Sequence, residues 1–150
     1  MRRQRIVVIG AGIAGLVAAR VLQRQRFCCT LVEPRADLAG GGAGLMLWPS
    51  ALRALTRLGY RDVLDLGAPV HESIVRDTNG RTLLRIPLGT RQDSQPRATP
   101  RQSLMHLLRR DLQCDLVPLA CTGIRRAGAG FAVELTDAPA LAADGVLVAT

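Results

Sequence analysis

The chain contains no lysine: all 20 of its basic residues are arginine. A phosphate-cradling loop of the G-x-x-x-x-G-K-[ST] type cannot be built from it, which excludes ATP hydrolysis by that machinery. Aromatic residues are nearly as scarce, Phe27, Trp48, Tyr60 and Phe131 being the whole set. There is little on which bases could stack, and the arginines are spread from Arg2 to Arg126 with no dense run beyond Arg2-Arg3-Gln4-Arg5. The formal charge of +8 therefore does not read as a nucleic-acid footprint. Histidine occurs only as His71 and His106, and Cys28, Cys29, Cys114 and Cys121 form no C-x-x-C pair, so no zinc-ligand spacing can be assembled. Reduced, mostly buried thiols are expected. No stretch approaches the ~20 apolar residues a membrane-spanning helix requires. Met1-Arg2-Arg3-Gln4-Arg5 and the apolar residues after it imitate a signal peptide, but the spaced glycines argue against one, and a cytoplasmic protein is expected.

What is present is concentrated at the start. Gly10-Ala11-Gly12-Ile13-Ala14-Gly15 follows the apolar run Ile6 to Ile9, and a second apolar run, Thr30 to Val32, delivers Glu33 eighteen residues past the last glycine. Strand, glycine turn, helix, strand and terminal acid together make the dinucleotide-binding fingerprint. Gly10 permits the tight strand-to-helix turn, Gly12 lets backbone approach a pyrophosphate, and Gly15 lets the helix pack closely on the strand. The helix N-terminus, with Ala14 in its first turn, offers unpaired N–H groups and a positive dipole end to the phosphates. Glu33 is placed to accept hydrogen bonds from a ribose diol and disfavours a 2′-phosphate.

The remainder reads as a single 150-residue domain, or a piece of one, with 48% hydrophobic residues. Ala14, Val17, Ala18, Val21 and Leu22 fall at helical spacing and are expected to form the face packed on a sheet. Arg35 to Gly44 holds Gly40-Gly41-Gly42 and Gly44; either its backbone passes close to something flat, such as a cofactor, or it is a flexible linker. Trp48-Pro49 opens a helix marked by Ala51, Leu52, Leu55 and Leu58, with Gly59 just past its end. Glu72 to Asp77 and Thr82 to Ile86 flank Asn79-Gly80, an antiparallel hairpin that interrupts the parallel order. Arg91 to Arg97 reads as an exposed loop. Thr99-Pro100-Arg101-Gln102 reads as a helix start, with Thr99 as N-cap, Pro100 as first helical residue and Gln102 as its return partner. Leu104, Leu107, Leu108 and Leu112 are its expected buried face. Arg101 then sits in a first turn, where a cation opposes the dipole by ~0.3–1 kcal/mol unless an anion is near. It is either a phosphate or cofactor contact or a solvent-facing arginine. Leu119 to Arg125 and Phe131 to Thr136 bracket Gly128-Ala129-Gly130 as a second hairpin, and Gly145 to Ala149 is an apolar strand expected to be buried on both faces. His106 reads as a helix-boundary residue.

The order of these features resembles the FAD-dependent aromatic monooxygenases, the single-component flavin hydroxylases that include salicylate and 3-hydroxybenzoate hydroxylases. Three segments carry the resemblance: Val8 to Leu16 through Val32-Glu33, then Gly42-Ala43-Gly44-Leu45-Met46-Leu47-Trp48-Pro49-Ser50-Ala51-Leu52-Arg53-Ala54-Leu55, then Arg101-Gln102-Ser103-Leu104. The middle segment is the most specific, with Ser50 where the family usually has Asn. The resemblance implies an α/β, Rossmann-like FAD-binding βαβ fold with antiparallel hairpin insertions, truncated before the substrate domain, so that residues 1–150 are the N-terminal part of an FAD-binding domain. It implies that Gly10, Gly12, Ala14 and Gly15 serve the dinucleotide, Glu33 the adenosine ribose, the Ala43-Gly44-Leu45 backbone the isoalloxazine, and Arg101 the FAD. Cys121 matches the position whose backbone usually meets adenine, with a packed, inert thiol. The family uses NAD(P)H and O2 to hydroxylate an aromatic or related ring, so NAD(P)H and a small aromatic substrate are implied partners once the missing portion is supplied. No catalytic acid, base or nucleophile can be assigned. Two alternatives stand beside this one: a truncated, non-catalytic dinucleotide-binding protein, and an NAD-binding dehydrogenase module.

Overall fold

The computed structural model describes residues 3–35, 43–89 and 95–150. Two compact units divide the chain, Met1–Gly40 with Leu108–Thr150 and Gly41–Leu107. The first unit begins with β1 (Arg5–Ile9), α1 (Ile13–Arg24) and β2 (Cys28–Val32). The second holds β3 (Gly44–Leu47), α2 (Pro49–Arg57), a single 3-10 turn (Arg61–Leu64), β4 (Ala68–Pro69), β5 (Glu72–Arg76), β6 (Thr82–Pro87) and β7 (Arg97–Pro100). The helix α3 (Arg101–Arg110) runs across the boundary. The chain then returns to the first unit through β8 (Asp115–Val117), β9 (Cys121–Ala127), β10 (Gly130–Leu135), β11 (Ala138–Ala143) and β12 (Gly145–Val148).

In the first unit β12, β1, β2 and β8 form a parallel sheet in that order. The β-branched sequence of β1 suits its central place, since side chains must alternate between two covered faces. Val7 and Ile9 join Val32, Val133, Leu135 and Ala143 in one buried cluster. Val8 faces the other way, where Leu16 and Ala19 of α1 are also fully buried. The layer beneath Val7 and Ile9 is the antiparallel sheet β11-β10-β9. Its first hairpin closes through Gly128-Ala129, with Ala127 opposite Gly130 and Gly128 at φ +59°, the conformation a two-residue hairpin wants at its first central position.

The helix α1 forms where the periodicity places it but turns a different face inward. Gly15, Leu16 and Ala19 are its buried residues, whereas Ala14 is exposed, Val17, Ala18 and Leu22 are half-buried and Val21 is 40% exposed. The small Gly15 and Ala19 bring the helix axis close to the sheet, and the stripe nearest β1 is therefore the one with least side chain. The strand β11 carries Pro139 and a run of alanines that hide it from pattern reading. The strand β12 is an edge of the described sheet with Val148 61% exposed, so it is not buried on both faces in this chain. Of the thiols, which are all free, only Cys29 is buried; Cys28 is exposed and Cys114 and Cys121 lie between.

In the second unit β7 lies between β3 and β4, antiparallel to both. α2 begins with Pro49 at its first position and ends at Arg57, with Leu58 as C-cap followed by Gly59 at φ +97°, as the flanking Pro and Gly predict. Leu52 and Leu55 are its buried residues. The β5-β6 hairpin closes through Asp77, whose N–H donates to the Arg81 carbonyl at 2.9 Å while its carboxylate accepts from the N–H groups of Asn79 and Arg81 at 2.9 and 2.8 Å. Gly80 supplies the left-handed residue at φ +82°. Gly40-Gly41-Gly42 and residues 91–94 of the expected exposed loop lie outside the described residues. The end of that loop is corrected: Pro96 is buried and Arg97 begins β7.

The expected start of the third helix is also corrected. Thr99 is a β7 residue opposite Leu45, 1% exposed, and its hydroxyl donates to the Leu66 carbonyl at 3.3 Å. The helix begins one residue later than the Pro100 start implied, at Arg101, and buries Met105 in addition to Leu104, Leu107 and Leu108. Leu112 lies beyond its end.

The phase of α1 gives a stability contrast. Leu16→Ala removes a fully buried side chain and should cost about 2–5 kcal/mol in urea unfolding. Val21→Ala, at the half-exposed position, should stay within about 0.5 kcal/mol of wild type.

Candidate cofactor site

Gly10 ends β1 at φ +97°, and its N–H donates to the Val32 carbonyl at 2.8 Å. This bond ties the turn to the end of β2. A Cβ at Gly15 would collide with the Gly10 carbonyl oxygen; the helix can lie on the turn only because that atom is missing. Gly12 differs from both. It is the N-cap of α1 in extended conformation (φ −69°, ψ −173°), it makes no side-chain cap, and a Cβ there would meet nothing within 4 Å. The first turn of α1 holds no acidic residue. An uncapped helix start facing open space is a seat for an anion, because first-turn N–H groups lack intrahelical partners and the dipole is positive there.

Glu33 follows β2 directly, and its N–H donates to the Val117 carbonyl at 3.1 Å, continuing the β2-β8 ladder. Its carboxylate is turned to the glycine loop. Oε2 accepts from the Ala11 N–H at 3.1 Å and Oε1 from the Arg35 N–H at 3.2 Å. Each oxygen keeps a further lone pair for an incoming hydroxyl. The structure therefore brings Gly10, Gly12, Ala14, Gly15 and Glu33 together around one turn. The Ala11 N–H is the functional group that sequence reading missed. Backbone donors have no sequence signature of their own.

In the second unit Ala43, Gly44, Leu45 and Arg101 are neighbours. Gly44 pairs with Pro100 and Leu45 with Thr99 across β3 and β7, and the Arg101 N–H donates to the Ala43 carbonyl at 3.0 Å. Ala43 and Gly44 are exposed, and a Cβ at Gly44 would meet nothing within 4 Å. Arg101 is half-buried at the first position of a helix whose first turn has no acid. Among the described residues its guanidinium has no ion-pair partner. Cys121 belongs to the first unit, at the start of β9. It packs against the cluster of Val7, Ile9 and Val32, and its thiol donates to the Gly123 carbonyl at 3.5 Å. His106 is exposed on α3, and His71 Nδ1 lies 3.1 Å from Gln95 Nε2.

The two open glycines and the two closed ones should respond differently to an added methyl. Gly15→Ala should lower the thermal midpoint strongly, whereas Gly12→Ala should change stability by no more than about 1 kcal/mol; calorimetry of both variants measures the difference.

A family described as NAD(P)-binding Rossmann-like domain matches residues 8–45, the segment from β1 through the glycine turn and Glu33 to Leu45. The chain is 36% identical over 136 residues to 3-amino-4-hydroxybenzoate 2-monooxygenase PtmB3 of Streptomyces platensis, an alignment covering 88% of this chain and 33% of PtmB3. Among solved structures, tetrameric 2-methyl-3-hydroxypyridine-5-carboxylic acid oxygenase superposes with a TM-score of 0.82 at 25% identity, over 97% of this chain and 39% of the oxygenase. Klebsiella pneumoniae HpxO complexed with FAD and uric acid superposes with a TM-score of 0.78 at 25% identity, over 95% and 38%. The chain thus spans about a third of the length of the relatives it matches. No helix among the described residues is long and apolar enough to cross a membrane. By sequence and by its Rossmann-like α/β fold, the chain is a homologue of the FAD-dependent monooxygenases and corresponds to their FAD-binding portion.

Proposed function

We propose that this chain holds FAD as the cofactor-binding part of a flavin monooxygenase that hydroxylates an aromatic or related ring at the expense of NAD(P)H and O2. The observation that carries this reading is the uncapped, acid-free start of α1 beside the Glu33 carboxylate. An anion and a diol recognised side by side describe the pyrophosphate and ribose of an adenine dinucleotide. Gly10 shapes the turn, Gly12 leaves room for the pyrophosphate to approach backbone, Ala14 and Gly15 belong to the helix turn that faces it, and Glu33 receives the ribose hydroxyls. FAD carries no 2′-phosphate, so the negative charge of Glu33 costs it nothing. Cys121 contributes backbone to the adenine, its thiol being occupied by Gly123.

The Ala43-Gly44-Leu45 backbone is proposed to lie beside the isoalloxazine, where the bare Gly44 Cα leaves space for a flat ring. Arg101 supplies positive charge to the cofactor. Its place at a helix start is otherwise unfavourable, and an anionic ligand removes that cost. When bound, FAD supplies the redox and oxygen chemistry; the residues named here bind and orient it. The urate and aminohydroxybenzoate specificities of the relatives give the class of ring for a complete enzyme, with NAD(P)H as reductant.

The test is a titration of the purified chain with FAD, and in parallel with NAD and ADP, followed by flavin fluorescence and thermal stability. Saturable, stabilising FAD binding is expected. ADP binding without FAD binding would leave only an adenosine site and overturn the flavin reading. Gly12→Val should abolish binding of all three while the fold persists, and unchanged FAD affinity in that variant would refute the pyrophosphate seat. Arg101→Ala should weaken FAD more than NAD; equal loss of both would assign Arg101 to the fold alone.

A further inference from the structure

Two of the four thiols meet in a place unrelated to the dinucleotide turn. β2 and β8 pair in parallel with Thr30 opposite Asp115, which puts Cys29 and Cys114, one residue earlier on each segment, side by side. Opposed residues on neighbouring strands lie about 4.8 Å apart, inside the Cα separation of about 4.4–6.8 Å that a disulfide spans. The two side chains are close enough that a thiol–thiol hydrogen bond is the largest influence on the ionisation of each. Cys29 is buried at 8% exposure, whereas Cys114 lines a cavity of about 100 Å³ with Leu16, Leu31, Arg109, Leu112 and Leu116. A peroxide-sized molecule fits there.

The geometry points to a peroxide-oxidisable dithiol, in which hydrogen peroxide entering this cavity oxidises Cys114 and the product closes onto Cys29 as a disulfide tying β8 to β2. The roles differ because the surroundings differ. The hydrogen bond from Cys29 pulls the Cys114 thiol below its ordinary range, and the Arg109 guanidinium on the cavity wall helps; partial burial and the Asp115 carboxylate oppose them. Cys29 is pushed up, first by that same hydrogen bond and then by burial. The thiolate is the nucleophile in such chemistry. The segment before Cys114 is held on α1: Arg20 and Gln23 donate to the Asp111 carbonyl at 3.2 and 3.4 Å, and the Gln113 N–H donates to Gln23 Oε1 at 3.3 Å. Those bonds hold the pair in register.

In the first step the Cys114 thiolate attacks a peroxide oxygen; an S–O bond forms, the O–O bond breaks, and the leaving oxygen takes up a proton and departs as water. In the second the Cys29 sulfur attacks the sulfenic sulfur. The S–S bond forms, the S–O bond breaks, and the hydroxide leaves with the Cys29 proton as a second water. Sulfur is oxidised and peroxide is reduced, with no other reactant. Cys29 attacks from within, so its burial does not hinder closure.

The experiment uses the Cys28→Ser chain, because Cys28 is exposed and would otherwise form links between molecules. Native protein is exposed to hydrogen peroxide, free thiols are blocked with N-ethylmaleimide, and non-reduced peptides are mapped by mass spectrometry. A Cys29–Cys114 linked peptide is expected, with loss of both thiols and recovery by dithiothreitol, while Cys121 stays free. In the added Cys29→Ser variant Cys114 should be trapped by dimedone as sulfenic acid. In the added Cys114→Ser variant Cys29 should remain reduced at the same exposure. A linked pair involving Cys121, linkage only after denaturation, or unchanged oxidation of Cys29 without Cys114 would each overturn the proposal.

Discussion

The whole dinucleotide turn depends on one short approach, that of α1 to the carbonyl of Gly10. That oxygen occupies the space a side chain at position 15 would need. With no side chain there, the helix can start directly over the end of β1. The same turn is braced from the other side. Gly10 N–H is bonded to Val32, the Ala149 N–H donates to the Ile9 carbonyl at 2.8 Å, and the Ala149 carbonyl lies where a Cβ on Gly10 would be. The ends of β1, β2 and β12 thus converge on a stretch of bare backbone. Glu33 needs no further device to reach it, being the residue that follows β2.

A second close approach organises the other unit. Gly67, at φ +71°, lies against the backbone of Ala98 and Thr99, and a Cβ there would clash with the Ala98 carbonyl. Arg97 donates to the carbonyls of Leu66 and Gly67 at 3.2 and 2.9 Å, and Thr99 donates to Leu66. One arginine and one hydroxyl thereby satisfy carbonyls that no helix or ladder serves. β7 is fixed by these bonds and by its pairing with β3. In turn it sets where α3 starts and presents Arg101 beside the Ala43 carbonyl.

Charge plays a smaller part than the composition suggests. The ion pairs of Arg85 with Glu72, Arg110 with Asp111 and Arg125 with Glu134 join side chains that are each at least 40% exposed, where water screens the attraction and the contribution to stability is small. The recognition proposed at the glycine turn relies on backbone N–H groups and a helix dipole, which are fixed by the fold and need no cation. The proposed phosphate seat is thus consistent with a chain that has no lysine.

What the sequence by itself determined is the part governed by near neighbours. The β1-turn-α1-β2 unit, Glu33 at its end, the limits of α2 and both hairpin turns are written in residues whose special conformations are demanded within a few positions: Gly10, Pro49, Gly59, Gly80 and Gly128. Five of the candidate site residues gather at one turn for that reason. Tertiary structure alone decided the rest. The inward face of α1 was set by which small residues let it approach the sheet, and the fate of Thr99 by a carbonyl 33 residues earlier in the chain. β3 found its partner in β7 across the intervening helix and hairpin, and β8, three residues long, exists because Thr30, Leu31 and Val32 offer it a ladder. Cys29 met Cys114 through that same pairing. Local sequence encodes the conformation a residue can adopt, whereas strand partners, burial and hydrogen-bond acceptors far along the chain exist only once the sheets have formed.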